Sequence, residues 1–282
     1  MSANHWTLDD IPWDRFDRAK VDPEMLQVVK AASLVEANGA DYATYLCNVF
    51  PDDPEFQAAA QAWAVEEEQH GAALARWAEL ADPSFSFEES FKRFTEGYSL
   101  PLDAKESVRG SRSGELVARC IVEVGTSSYY SALCEASDEP VLKAICRKIA
   151  ADEFRHYKLF YSHLKRYLKK EDIGPLRRTL VALGRIRESE DDELAFAFFA
   201  ANSAASSNGE AYERKRWSQA YMSRAYGYYR PHHVERVVAM TFKAAGLKPQ
   251  GRLAQVMQRV AYLYIKRHAR RGKQPDSLPA AA

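Results

Sequence analysis

Two short stretches decide the fold: Glu66-Glu67-Glu68-Gln69-His70 and Asp152-Glu153-Phe154-Arg155-His156. Each closes on Glu-x-x-His, and the chain has no other Glu-x-x-His. Upstream, Leu34-Val35-Glu36 stands before the first as Ile121-Val122-Glu123 stands before the second, with 31 residues from Glu36 to Glu67 and 30 from Glu123 to Glu153. A tyrosine follows each upstream glutamate by six residues (Tyr42, Tyr129) and a cysteine by eleven (Cys47, Cys134). Two helical hairpins of one design therefore follow each other, and two such hairpins make a four-helix bundle.

The heptad pattern says where these residues point. Phe56, Ala60, Trp63, Glu67, His70, Leu74, Trp77 and Ala81 recur at steps of four and three, the core stripe of a packed helix. Ile149, Glu153, His156, Phe160 and His163 form the equivalent stripe of the second hairpin. Met25, Val29, Ala32, Glu36, Gly39 and Ala43 form a third, and Leu116, Cys120, Glu123, Ser127, Tyr130 and Cys134 a fourth. Each stripe carries one glutamate near its middle, and two add a histidine one turn later. A buried unpaired charge costs several kcal/mol, so four carboxylates aimed into one core need compensation. Two divalent cations would supply it and leave the imidazoles neutral. A mixed oxygen and nitrogen ligand set suits iron or manganese better than zinc. The expected ligands are Glu36, Glu67, His70, Glu123, Glu153 and His156. The rival is a metal-free bundle in which Arg155 and Arg119 pair with the carboxylates.

Composition limits the alternatives. The chain has 282 residues, 46% apolar and 28% charged, so a packed core is expected and disorder is not. Lys+Arg and Asp+Glu both number 39, which removes any global bias toward nucleic acid or anionic membranes. The basic stretch Ile265–Lys273 reads as a solvated helix end. Cys47, Cys120, Cys134 and Cys146 include no CxxC, so a zinc-ribbon or rubredoxin-type knuckle is absent, and they read as reduced buried thiols. No signal-peptide pattern opens the chain, and no run reaches the roughly 20 apolar residues of a membrane span. A cytoplasmic protein is expected.

Punctuation predicts the elements. An N-terminal arm covers 1–22, the bundle 23–170, and accessory helices 171–282. Asp22-Pro23 starts a first helix running to Phe50; a second spans Pro54–Ala81; Ser84–Gly114 is a looser segment. A third covers Glu115–Ala136 and a fourth Pro140–Lys170. Further helices are expected at Leu176–Ala204, Gly209–Tyr229, His232–Ala245 and Gln250–Arg271, with a loop at Ser203–Gly209.

At the ligand residues the chain resembles soluble acyl-carrier-protein desaturases. Glu66–Gly71, EEEQHG, is similar to that family's EENRHG, and IAADEFRHYKLF (Ile149–Phe160) to its IAADEKRHExxY. Glu123-Val124-Gly125-Thr126 is similar to its Glu-x-x-Thr. The likeness is strong over Val35–Tyr167 and weak over the C-terminal helices, and LVEANGADY departs from the family around its first metal glutamate. The resemblance implies an all-α, ferritin-like four-helix bundle holding two iron ions, or a mixed manganese–iron pair. It also implies two further site residues. Thr126 would supply a hydrogen bond or proton during oxygen activation, and Asp152, with Trp6 or Trp13 from the arm, would relay electrons. A ligating histidine donates its second N–H to a partner that fixes its tautomer. Asp152 and Glu66, each preceding a ligand glutamate, are placed to do this for the histidine of the other hairpin. Gly39, Ala40, Ala43, Gly125 and Ser127, beside the ligand glutamates, leave room either for a substrate channel or for close helix packing.

The activity so implied is an oxygen-dependent oxidation of an unactivated C–H bond. Desaturation of an acyl chain comes first, on a small-molecule or carrier-bound substrate; hydroxylation or N-oxygenation comes next. The chain carries no iron–sulfur or flavin motif, so an external donor such as a ferredoxin is expected, and a homodimer is the expected assembly. A ferritin- or rubrerythrin-like iron-handling or peroxide-scavenging protein is the rival class. It leaves the residues after Lys170 unexplained and lacks the CxxC knuckle.

Overall fold

An acidic residue followed by proline opens three of the long helices, and in each the acidic side chain caps the first turn. In the computed structural model, which describes residues 5–189, 193–203 and 211–271, Asp22 accepts from the backbone N–H groups of Glu24 and Met25 at 2.8 and 3.2 Å. It opens α1 (Pro23–Glu36). A second helix, α2 (Gly39–Val49), follows directly. Asp53 accepts from Phe56 N at 3.1 Å and opens α3 (Pro54–Ala81). Glu139 accepts from Val141 N and Leu142 N and opens α6 (Pro140–Tyr167). Proline has no N–H to lose at these positions, and the carboxylate satisfies donors that the helix leaves free. Between α3 and α6 lie α4 (Phe87–Gly97) and α5 (Arg112–Ala136). After α6 come α7 (Pro175–Ser189), α8 (Glu193–Asn202), α9 (Arg214–Ala225), α10 (Pro231–Ala245) and α11 (Arg252–Arg271). The described residues form helices and connecting turns with no strand, and no helix is long and apolar enough to cross a membrane.

Several boundaries differ from the sequence expectation. The expected first helix is broken at Ala37–Asn38, immediately after Glu36. Glycine explains the break: a Cβ on Gly71 would lie 2.6 Å from Ala37 N, and one on Gly39 would lie 2.8 Å from Glu67 Cβ. Without those carbons the joint between α1 and α2 presses directly onto α3, and Asn38-Gly39 has low helix propensity. The looser segment contains α4, whose apolar residue Phe94 is fully buried. The single helix expected at Leu176–Ala204 is two, α7 and α8. The expected loop at Ser203–Gly209 falls, beyond Ser203, outside the described residues, as do the last residues of the basic stretch after Arg271. Cys120 and Cys146 are buried, but Cys47 and Cys134 are only half-buried.

The packing places four glutamates in one layer. α5 lies along α6, α1 and α2 along α3, and α3 against α6. α8 covers α1 and α4, and α10 covers α5. Two apolar clusters result. One joins Met25, Leu74, Trp77, Tyr130, Leu133, Ile149 and Phe198; the other joins Phe50, Phe56, Trp63, Leu116, Cys120, Phe160 and Leu164. Along α3 and α6, and from α1 to α2, the glutamate of the core stripe falls between the residues of one cluster and those of the other; on α5 the change comes just after Glu123, between Val124 and Tyr129. The core is therefore split by a polar layer, a costly arrangement unless that layer is compensated. On the outside, Leu253, Val256, Val260 and Leu263 of α11, and Leu176, Leu180 and Leu183 of α7, stay exposed.

Candidate metal centre

Two four-residue groups make up the polar layer: Glu36, Glu67, His70 and Glu153, and Glu67, Glu123, Glu153 and His156. Within each group the potential ligand atoms lie within 4.8 Å of one another, and every residue is buried. Glu67 and Glu153 belong to both groups, which places them between two adjacent positions. These are the six residues that the repeat singles out.

The imidazoles are oriented from behind. His70 Nε2 lies 3.1 Å from Asp152 Oδ2, and His156 Nε2 lies 2.9 Å from Glu66 Oε2. With Nε2–H donated to a carboxylate, the neutral ring would carry its lone pair on Nδ1, and Nδ1 faces the centre in both rings. His70 Nδ1 is 3.2 Å from Glu153 Oε1 and 3.4 Å from Glu36 Oε2. His156 Nδ1 is 3.0 Å from Glu67 Oε1 and 3.6 Å from Glu123 Oε2. Each histidine is thus held by the acidic residue that precedes a ligand glutamate on the opposite hairpin, as the spacing suggests.

The inward-facing atoms lack hydrogen-bond partners. Glu36 Oε2, Glu67 Oε1, both oxygens of Glu123, Glu153 Oε1, and Nδ1 of His70 and of His156 are buried with none among the described residues. Neither arginine of the rival reading supplies one. Arg155 contacts Asp152 and Glu66 at 2.6 and 3.1 Å, outside the centre. The carboxylate that Arg119 faces is Glu115, at 4.0 Å. Buried polar atoms of this kind, all aimed at one space, fit a metal site.

Protonation is displaced accordingly. Burial, then the charges of Glu153 and Glu36, pushes Glu67 well above the usual carboxylate range. Burial and the charge of Glu36 raise Glu153 to about 8. Burial works against a charged imidazole, yet the surrounding carboxylates, Asp152 first for His70 and Glu123 first for His156, raise both histidines well above their ordinary value. Asp152 is held far below its usual range: burial opposes this, but bonds from His70, Arg155 and Trp6 prevail.

Trp6, rather than Trp13, stands beside Asp152. Its indole N–H donates to Asp152 Oδ2 at 2.6 Å, and its ring stacks on His70 with centroids 5.9 Å apart. Trp13 donates to Leu8 O and packs under Arg76. Thr126 Oγ1 lies 2.5 Å from Glu153 Oε2, and also 3.2 and 3.1 Å from the carbonyls of Val122 and Glu123. Its single proton can serve one of these acceptors at a time. Of the small residues expected beside the glutamates, Gly39 is needed for close packing and Ser127 ties α5 to Ala150 O. A Cβ on Gly125 would meet nothing within 4 Å.

Two contacts carry no sequence signal. Tyr130 donates to Glu36 Oε1 at 2.6 Å, and His5 lies 2.9 Å from Asp152 and 3.5 Å from Glu66. Tyr130 stands on the core stripe, where a tyrosine reads as packing, and His5 belongs to an arm without periodicity. A separate trio, Glu135, His232 and His233, also has metal-ligand spacing. There the backbone N–H of Arg230 donates to His233 Nδ1 at 3.0 Å, so the neutral ring carries its proton on Nε2, the atom facing Glu135. That leaves no lone pair for a metal. An open groove of about 540 Å³ runs nearby along α5, α6 and Arg236, and none of the six central residues lines it.

No protein-family model matches the chain, and no curated protein matches it.

Proposed function

We propose that the chain is a ferritin-like di-iron oxidoreductase that uses dioxygen to oxidise an unactivated C–H bond, with desaturation of an acyl chain as the leading outcome. The observation that carries this reading is the set of buried, partnerless atoms on Glu36, Glu67, His70, Glu123, Glu153 and His156. Four carboxylates and two neutral imidazoles would balance two divalent ions, and the donor set suits iron. Glu36, Glu67, His70 and Glu153 would hold one ion, and Glu67, Glu123, Glu153 and His156 the other. Held there, iron would supply, with dioxygen, the oxidising chemistry that removal of hydrogen from an unactivated carbon needs.

The chain's own residues divide the remaining work. Asp152 and Glu66 hold the imidazoles with Nδ1 inward. Trp6, bonded to Asp152 and stacked on His70, offers electrons a continuous path from the arm toward the centre. Thr126, against Glu153, can hold or pass a proton at the edge of the site. Tyr130 orients Glu36. The electrons come from an external donor of the ferredoxin kind. Hydroxylation or N-oxygenation by the same centre is the nearest alternative, and the residues described so far favour neither over desaturation.

The test is direct. Protein reconstituted with ferrous ion under nitrogen should bind about two irons per chain. On mixing with oxygen it should show a transient absorbance, and oxygen use should depend on substrate and donor. Iron taken up in many equivalents per chain would instead establish a store.

A further inference from the structure

A cation stands one helical turn from Glu123 with no close ion pair. Arg119 is 7% exposed. Its Nε is buried without a hydrogen-bond partner among the described residues. The carboxylate oxygen it faces, Glu115 Oε1, lies 4.0 Å away, at the outer limit of an ion pair. The other oxygen of Glu115 already accepts from Tyr45 at 2.9 Å and Ser107 at 2.7 Å. The Tyr42 ring lies 5.0 Å from the guanidinium, and the Tyr42 hydroxyl is committed to Glu193. A guanidinium carries five N–H donors in a planar fork, and the buried one at Nε is unmet here.

A partly exposed strip of α5 lies between this cation and the ligands. Between Ser113 and Tyr130 every residue of α5 is buried except Val122, Gly125 and Thr126. Val122 and Thr126, three and seven residues beyond Arg119, share its helix face, and Gly125 follows Val122 by one turn. Open space borders Gly125, and Thr126 touches Glu153. The partly exposed residues of this stretch thus lie between the buried Arg119 and Thr126, which contacts Glu153. Seven residues of helix span about 10 Å.

We propose that Arg119 is the carboxylate-binding residue of the substrate site, and that the substrate is a small free monocarboxylic acid rather than a carrier thioester. The acid group would take the bidentate place on the Arg119 guanidinium, and the chain would lie along Val122 and Gly125 with its oxidised carbon beside Thr126. A monoanion suits the site better than a phosphate dianion, because Glu115 already stands near the cation. This assignment rests on the di-metal reading of the centre and narrows its substrate class.

The experiment uses full-length protein loaded with ferrous ion under nitrogen, with iron counted on every sample. Hexanoate, hexanamide and hexanoyl-pantetheine are the probes, followed by calorimetry and by the thermal midpoint, which rises when a ligand binds the folded state. Hexanoate should bind saturably and the two neutral probes should not. Arg119→Met should keep its iron and bind hexanoate about tenfold to a hundredfold more weakly, the loss of a charge-assisted bidentate contact. Arg119→Lys should fall between. Equal binding of hexanoate and hexanamide, binding of the thioester alone, or undiminished hexanoate binding by Arg119→Met overturns the assignment. Should Arg119→Met fail to fold, the acid–amide comparison on the parent decides. Absence of iron from the parent would refute the metal centre and would be read independently of these affinities.

Discussion

The indole N–H of Trp6 donates to Asp152 Oδ2 at 2.6 Å, the same oxygen that faces His70 Nε2 at 3.1 Å. One carboxylate thus joins the N-terminal arm to a buried imidazole. Trp6→Phe should keep the fold and both irons, yet slow re-reduction of the oxidised centre by a ferredoxin-type donor by about tenfold or more, the usual effect of losing an outer-sphere partner. Stopped-flow reduction measures this directly, and an unchanged rate takes Trp6 off the electron path.

Glu123 gives a test with a sign change. Both its oxygens are buried and unpartnered. In the metal-free protein Glu123→Gln relieves crowding among the buried carboxyls of Glu67, Glu123 and Glu153 and should stabilise by about 1–3 kcal/mol. With iron present the same variant should be less stable than the parent and hold less metal. Denaturant melts with and without ferrous ion check both halves, and a loss of stability in both states contradicts the metal reading.

Metal loading should release protons. Burial and neighbouring charge hold Glu67 and Glu153 in the protonated form, Glu153 up to about 8, and His70 and His156 are held cationic. Ions bind the deprotonated groups, so protons held by the free protein leave on loading. By linkage, apparent affinity rises with pH, with the contribution from Glu153 levelling off above about 8. An anaerobic ferrous titration in weak buffer with a pH indicator measures the yield. Loading at pH 7 without proton release would contradict these protonation states.

Thr126 separates an oxygenase from an iron store. Thr126→Val is nearly isosteric and should retain fold and metal. It deprives Glu153 of its nearest donor, so the share of oxygen use that ends in substrate oxidation should fall by about tenfold, with hydrogen peroxide released instead. Oxygen consumption set against product and peroxide measures the coupling. Parental coupling in the variant removes Thr126 from oxygen activation and leaves the metal ligands untouched.

Acid sensitivity should arise far from the centre, at Asp53. Burial pushes its carboxyl up, but bonds from Arg166, Tyr167 and Phe56 N hold it at about 2. A folded-state value below the unfolded one stabilises above the ordinary carboxylate range, about pH 4, and that stability is lost as pH falls toward 2. Asp53→Asn should be less stable at neutral pH by about 1–2 kcal/mol through the weakened cap and ion pair, and its stability should decline less between pH 4 and 2. Urea melts across that range give the slope, and parallel slopes for parent and variant would exclude Asp53 as the source.

The repeat of Glu36 and Glu67-x-x-His70 on Glu123 and Glu153-x-x-His156 was legible because helix geometry is local. A period of three and four puts these side chains on core stripes whatever the neighbours are. The same locality made Asp152 and Glu66 readable, since each stands one residue before a ligand. Proximity across the fold was not readable. Sequence alone leaves Trp6 and Trp13 equivalent; the path of the arm puts Trp6 on His70 and Trp13 under Arg76. Arg119 reads as a plausible partner for the ligand carboxylates, and only the packed structure shows it facing Glu115 without a hydrogen bond at Nε. The break after Glu36 likewise depends on Gly71, 35 residues away in the chain, meeting Ala37 without a Cβ between them. Periodicity is a property of one helix and is written in its own residues. Which side chain on one element meets which on another depends on how the helices pack, and no single segment encodes that.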